Sequence, residues 1–401
     1  MHRTENASLR PDRLWNPQFT LLIAINVITN IGFGMLLTSI SLYVVNMGAS
    51  LAIAGSMASV FSLVAMFMRP LGGRLFDCFN KRNSFILSTL AYGAISVLYS
   101  FTTNVPMLFL LRIVHGIAFS LSGVTNMALV SLFISKKRMN EGLGYYNAVM
   151  LIGQAVAPSI AQYLIGTVGF FWLYIIVGLF IMLPPLFCLT MKMPEAAAAA
   201  PSTAAAPSKR RFSIDNFVVR HLILYAIVGS VFSFYNGIAN SFMLLLGEAR
   251  HIENISLFFT VSSGVLLAVR IFGSSLTDRL NMNWLVNGAL VTSIISLLLI
   301  SKTHSLSLVL AAAALKALGQ GVGQVVLQGE ALKRADPGSL GIATGTMFMG
   351  NDLGNTLGPV IGGAITDSLG YWAMFYVGIA AFALAMAAFI IYQKRKQQTA
   401  A

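Results

Sequence analysis

Three Lys, Arg or Asp residues stand deep inside long apolar stretches of this 401-residue chain: Arg112, Lys316 and Asp352. Charge among apolar residues is costly, so such groups are candidates for ion or proton handling. Lys316 and Asp352 each lie about 16 Å along their segments at ~1.5 Å per residue, near the middle, and Arg112 about a third of the way in. Lys316 and Asp352 enter from opposite sides on consecutive segments, close enough to be coupled. Asp352 is then a proton-carrying carboxylate tuned by Lys316, or the two form a static ion pair that fixes helix register. Arg112 has no embedded acid in its own half. It can bind backbone and polar groups, hold a substrate carboxylate, or couple to protons through His115, whose other reading is polar packing.

Neutral polar residues extend these positions into stripes. Lys316, Gln320, Gln324 and Gln328 are spaced by four, as are Asn26 and Asn30. Ser233, Asn236 and Asn240 nearly share a face, and Asn351, Asp352 and Asn355 share another. With Asn126, these residues are candidates to line a polar cavity. Phe33, Met35, Phe119, Phe234, Tyr235, Met347 and Phe348 are candidates for an apolar, adaptable lining. The sequence has no metal cluster and no nucleophile–His–acid arrangement, so neither an enzyme site nor a cofactor is expected. Gly319-Gln-Gly321-Val-Gly323 lies in an apolar segment with no preceding strand, which argues against a dinucleotide loop. Cys78, in a short loop, and Cys188, in an apolar segment, form neither a disulfide framework nor a zinc site.

The elements that position these residues follow from composition. Hydrophobic residues make up 57% of the chain and charged ones 10%, with mean hydropathy +0.78. A soluble, disordered or nucleic-acid-binding chain is a poor fit. Apolar blocks of about 20 residues are the length of a bilayer-spanning helix. The expectation is an all-α polytopic membrane protein with twelve spans: 19–45, 51–76, 84–102, 106–133, 141–165, 169–191, 217–246, 254–276, 284–301, 305–329, 341–366 and 370–392. Residues 1–18 are polar, and the block after them is too long for a signal-peptide core, so it reads as the first span. Ala/Pro-rich residues 192–216, carrying Lys209-Arg210-Arg211, form a linker. The domains are therefore the tail 1–18, a bundle 19–191, the linker, a bundle 217–392 and the basic tail 393–401. The net charge of +13 reads as topology. With both termini in the cytoplasm, only Arg250 and Lys302 fall in outer loops, while nearly all other Lys and Arg lie on the inner side.

The two halves repeat. Arg69-Pro-Leu-Gly-Gly-Arg-Leu-Phe-Asp77-Cys-Phe-Asn80 matches Arg270-Ile-Phe-Gly-Ser-Ser-Leu-Thr-Asp278-Arg-Leu-Asn281 at an offset of 201 residues. Gly144, Gly153, Pro158 and Ala161 match Gly345, Gly354, Pro359 and Gly362 at the same offset. Parallel repeats of this kind place a substrate site near the midplane between halves that rock against each other. Small residues every fourth position (Gly153, Ala157, Ala161; Gly354, Gly358, Gly362) let helix backbones approach closely, and Pro158 and Pro359 allow a bend.

These residues resemble the major facilitator superfamily over nearly the whole chain. Gly73-Arg-Leu75-Phe-Asp77-Cys78-Phe-Asn80-Lys81-Arg82 is similar to its motif A, with Cys78 for a basic residue and Asn80 for glycine. Leu111-Arg112-Ile-Val-His115-Gly116 is similar to motif B, with His115 for glutamine. Gly144…Gly153…Ala157-Pro158…Ala161 and Gly345…Gly354…Gly358-Pro359…Gly362 are similar to motif C of the drug:proton antiporter branch. The resemblance implies two pseudo-symmetric six-helix bundles, with spans 1, 4, 7 and 10 around the pathway. It implies a motif A gate in which Asp77 pairs with a base (Arg74, Lys81, Arg82 or Arg138) and faces the eleventh helix. Arg69 and the weaker set Arg270, Asp278 and Arg279 belong to the same gate. It favours a coupling role for Arg112. The expected function is proton-coupled efflux of a small amphipathic organic compound, driven by a proton gradient with no cofactor. The absence of a midplane acid in the first half tilts the substrate toward an anion or zwitterion. The alternatives are a symporter or facilitator importing a small organic anion or other metabolite and, more remotely, a transport-inactive sensor or a membrane enzyme. The expected partners are the lipid bilayer of the cell membrane, substrate and protons, with no nucleic acid, and the expected state is a monomer.

Overall fold

A computed structural model describes residues 14–78, 80–135, 138–191, 219, 222–277, 281–334 and 340–400. Among them are α1 (Pro17–Asn46), α2 (Leu51–Cys78), α3 (Lys81–Tyr99) and α4 (Val105–Leu132). The helical run Met139–Met182 breaks at Gly169 (φ 75°, ψ 177°), giving α5 (139–168) and α6 (170–182). That backbone region is open essentially to glycine alone. Then come α7 (Ile223–Ala249), α8 (Leu257–Thr277), α9 (Met282–Lys302), α10 (Leu306–Arg334), α11 (Leu340–Leu369) and α12 (Tyr371–Ala400). No strand occurs among the described residues. Among the described residues, eight stretches are long and apolar enough to cross a bilayer. Leu87, Trp284 and Leu384 are exposed, as lipid-facing side chains are.

Two segments differ from expectation. The sixth apolar span reaches Thr190, but it is α-helical only to Met182. Pro184-Pro185 ends the α-helix, because two successive prolines have no N–H to give the carbonyls of the preceding turn, and Pro184–Thr190 coils on as a 3-10 helix that holds the buried Cys188. In addition, α12 continues as helix through the basic tail.

The repeat is realised in backbone detail. Lys81 and Met282, Val105 and Leu306, and Met139 and Leu340 begin α3 and α9, α4 and α10, and α5 and α11 at the sequence offset. Asn80 caps α3 by accepting from Asn83 N (3.1 Å), and Asn281 caps α9 by accepting from Asn283 N (2.9 Å). Asparagine is a strong N-cap, which accounts for Asn80 where motif A has glycine. Gly370 (φ 87°) turns α11 into α12, as Gly169 turns α5 into α6.

By its contacts the chain forms two compact units. The first holds α3–α6 with α1 up to residue 36 and α2 from residue 64; the second holds α7–α12 with residues 37–63. The first packs around Phe19, Leu22, Phe85, Leu129 and Val130. Its Gly153 lies on the backbone of Asn30, and its Ala157 lies on Gly34. In the second, Gly350, Gly354 and Gly358 of α11 lie on the backbone of Ala226, Ser230 and Phe234 in α7. A Cβ at 354 or 358 would collide with the carbonyls of Ser230 and Phe234. Gly362 rests on Met374 and Ile238, Ala161 is buried, and Gly345 meets open space. Pro158 and Pro359 sit inside helices that continue past them.

Within the second unit the start of α2 is tied to the end of α11. Leu51 N and Ala52 N donate to Asp367 Oδ1 and Oδ2, both at 2.8 Å. Ser59 Oγ donates to Thr356 O (2.6 Å), and Gly55 meets the Pro359 carbonyl. An acid in the last turn opposes its own helix dipole, but at the N-terminus of another helix it is favoured. Asp367 is exposed, and the water it loses at this contact works against the charged carboxyl. The Ala52 N–H, the Ser50 hydroxyl and the Leu51 N–H together outweigh this and hold Asp367 below its ordinary 3.8. The cap is therefore intact at neutral pH and is lost only as pH falls through that depressed value. Asp367→Asn, with one carbonyl oxygen for two N–H groups, should cost about 0.5–1 kcal/mol. This would appear as a lower thermal midpoint of the purified protein at pH 7, and an unchanged midpoint would contradict the assignment.

Candidate functional site

The first unit buries a chain of donors and acceptors between α3 and α4. Arg112 is 1% exposed and His115 0%. Arg112 hydrogen-bonds the Tyr99 hydroxyl. Tyr99 Oη lies 2.8 Å from His115 Nδ1, and Ser96 Oγ lies 3.3 Å from His115 Nε2. Ser96 Oγ also donates to Tyr92 O (3.0 Å). The guanidinium can only donate, and the serine proton is committed to Tyr92 O, so the network assigns the ring proton to Nε2, with Nδ1 accepting from Tyr99. The direction runs one way: Arg112 to Tyr99 to His115 to Ser96 to the Tyr92 carbonyl. The Tyr92 ring stacks on His115 (4.8 Å), and Phe33 stacks on Phe119 (4.5 Å). Nearby, Asn26 Oδ1 accepts from Asn30 Nδ2 (2.8 Å) and Asn126 Nδ2 (3.3 Å), while Asn26 Nδ2 donates to Tyr146 O (3.1 Å).

The second unit carries a ladder on α7, α10 and α11. Lys316, 5% exposed, donates to Asn236 Oδ1 (3.1 Å) and Gln320 Oε1 (3.0 Å), and its ammonium lies 5.7 Å from the Tyr235 ring centroid. Gln320 Nε2 donates to Gln324 Oε1 (3.5 Å), and Gln324 Nε2 donates to Ser233 Oγ (3.0 Å) and Asn351 Oδ1 (3.5 Å). Ser233 Oγ donates to Asn351 Oδ1 (3.2 Å), and Asn236 Nδ2 to Asn355 Oδ1 (3.4 Å). An ammonium offers only donors, so it turns the oxygen of each adjoining amide toward itself and the N–H groups onward. Tyr235 is held by Ser296 (2.9 Å).

Several expectations are corrected. Lys316 does not pair with Asp352: among the described residues its partners are neutral, because helix rotation aims it at α7 rather than at the carboxylate of α11. Asp352 is half-buried in mid-α11. Asn240 is half-buried and makes no hydrogen bond among the described residues, and Phe348 is exposed. Phe234, Met35 and Met347 are buried. Arg82 donates to the carbonyls of Leu189 (3.3 Å) and Met191 (3.4 Å), and Arg138 pairs with Glu141 (2.8 Å). Arg270 is exposed on α8. Asp278 and Arg279 lie outside the described residues, as do the surroundings of Arg69, Gly73, Arg74, Asp77, Lys81 and Gly144.

Sequence reasoning missed Tyr99 and Asp367. The signal for Asp367 was available as an acid in the last turn of its helix; Tyr99 had none in one dimension. It also missed that His115 and Lys316 stand at the same place in the repeat, on α4 and α10.

The Major Facilitator Superfamily model matches residues 22–300 and 226–401, nearly the whole chain. The chain belongs to the major facilitator superfamily. Like other members it is a multi-pass membrane transporter and not an enzyme. Multidrug resistance protein 1 of Bacillus subtilis (strain 168) is 23% identical over 361 residues, covering 88% of this chain and 90% of that protein. The class H tetracycline resistance protein of Pasteurella multocida is 22% identical over 404 residues, covering 95% and 97%. The crystal structure of the nucleoside transporter NupG superposes with a TM-score of 0.75 at 15% identity, covering 94% of this chain and 99% of that one, which shows the shared fold.

The buried chain of the first unit makes a paired prediction. Tyr99→Phe strands the acceptor at His115 and a donor of Arg112, and should cost about 1–3 kcal/mol. Tyr92 Oη has no hydrogen-bond partner among the described residues, so Tyr92→Phe should leave the thermal midpoint unchanged or raise it. Equal losses in the two variants would contradict the assigned direction.

Proposed function

We propose that this transporter works by alternating access as a proton-coupled exporter, exchanging protons for a small amphipathic organic compound. It resides in the cell membrane with both termini in the cytoplasm and acts as a monomer with no cofactor. The observation that carries the reading is Asp352. Among the described residues it is the one carboxylate in the middle of a membrane helix, and it stands beside Asn351 and Asn355 on the polar side of α11. A carboxylate in a membrane helix marks a proton or substrate pathway by default. With Lys316 occupied by neutral oxygens, Asp352 carries the proton without that lysine as its ion-pair partner. The Arg112–Tyr99–His115 chain supports a second polar path in the first unit. Efflux is supported by the resistance proteins among the relatives and by the small-residue stripe that seats α11 on α7. The orientation rests on the Lys/Arg bias of the connecting segments. Asp77 and its neighbours act as the cytoplasmic gate.

The test is flux. Compounds that raise the thermal midpoint of the purified protein are loaded as radiolabelled substrate onto everted membrane vesicles with an acid interior. The wild type should accumulate them. Asp352→Asn should lose about tenfold or more of the gradient-driven component while still exchanging labelled for unlabelled compound. Full gradient-driven uptake by Asp352→Asn overturns the carrier role. Uptake into intact cells driven by an inward proton gradient overturns export in favour of import.

A further inference from the structure

A lysine ammonium has three N–H donors. Lys316 spends two, on Asn236 Oδ1 and Gln320 Oε1, and among the described residues the third has no acceptor. The charge also has no carboxylate within ion-pair distance among those residues. An ammonium so enclosed lacks the counter-charge that normally accompanies burial. The rest of the ladder has the same bias. Asn351 and Asn355 use their carbonyl oxygens to accept from Ser233, Gln324 and Asn236, and their Nδ2 groups have no acceptor among the described residues. The side-chain oxygens of Asn236, Gln320, Gln324, Asn351 and Asn355 all accept, so what these amides leave unspent around the Lys316 charge is donors. Asn236, Gln320, Asn351 and Asn355 are only half-buried, so the face can be approached.

We propose that Lys316, aimed by Asn236 and Gln320, anchors the carboxylate or similar anionic group of the transported compound, with the Nδ2 groups of Asn351 and Asn355 as further donors to its oxygens. The substrate class is thus organic anions with an apolar body. At Lys316 a cationic compound would meet like charge, beside amide oxygens that already accept. A carboxylate supplies the missing counter-charge and acceptor lone pairs for all three donors, and charge-assisted bonds of this kind are about twice as strong as neutral ones. Tyr235, its ring by the ammonium and its hydroxyl held by Ser296, and the Gln324–Ser233 pair fix the geometry from behind.

This inference deepens the proposed transport of a small organic compound and is tested without a gradient. Full-length protein in nanodiscs is titrated by calorimetry with three probes sharing one apolar body: 4-phenylbutyrate, neutral 4-phenylbutyramide and cationic 4-phenylbutylamine. The wild type should bind the anion about tenfold or more tighter than the amide, a difference of ~1.4 kcal/mol, and bind the amine most weakly. Lys316→Gln, which keeps donors toward Asn236 and Gln320 without the charge, should bind anion and amide alike, and Lys316→Arg should retain the preference. Equal binding of the three probes by the wild type, tighter binding of the amine, no binding of the anion at millimolar concentration, or an anion preference surviving in Lys316→Gln would each overturn the assignment. If the preference is absent while gradient-driven flux persists, only this inference fails. If flux is absent while the preference persists, only the transport reading fails.

Discussion

An ammonium group among apolar helices needs oxygen atoms around it, and this chain supplies them from amides rather than from a carboxylate. Removing an ion from water costs several kcal/mol even after relaxation. Hydrogen bonds with one charged partner return about 1.5–3 kcal/mol each. Holding Lys316 therefore demands that Asn236 on α7 and Gln320 on α10 stay fixed within hydrogen-bond reach. That demand passes outward. Gln320 is steadied by Gln324, Gln324 by Ser233 and Asn351, and Asn236 by Asn355. These short side chains span α7 and α11 only because glycines 350, 354 and 358 let the two backbones nearly touch. The small-residue stripe is thus packing chemistry that makes the polar chemistry possible.

The two units share a repeat but differ in how they handle charge. The repeat preserves helix starts, the asparagine caps and the glycine turns at 169 and 370. At the matching position on α4 and α10 it places His115 in one unit and Lys316 in the other. His115 is closed in by hydroxyls and an aromatic ring, with the Arg112 cation committed to Tyr99. Lys316 is held by amides on a face that is only half-buried. One duplicated scaffold thus presents a sealed relay in one half and an open donor surface in the other.

Much of the fold was legible because it depends on one-dimensional pattern. Apolar length gives the spans, and a fixed offset gives the repeat. Four-residue spacing put Lys316, Gln320 and Gln324 on one side of α10. What pattern could not give was which helix that side would meet. The pairing of Lys316 with Asp352 followed from depth alone, but depth says nothing about rotation, and the lysine turned to α7. Tyr99 lies near the end of α3, and only the packing of α3 on α4 brings its hydroxyl to His115. The early end of α6 was visible as Pro184-Pro185, but hydropathy across 183–190 masks it.

The charge of Lys316 can be read directly. In protein labelled with 15N at lysine Nζ and held in nanodiscs at neutral pH, the Lys316 resonance is identified by its loss in Lys316→Arg. The account predicts that it lies at the ammonium position and shifts when an organic anion is added. A resonance at the neutral-amine position, indifferent to the anion, would contradict it.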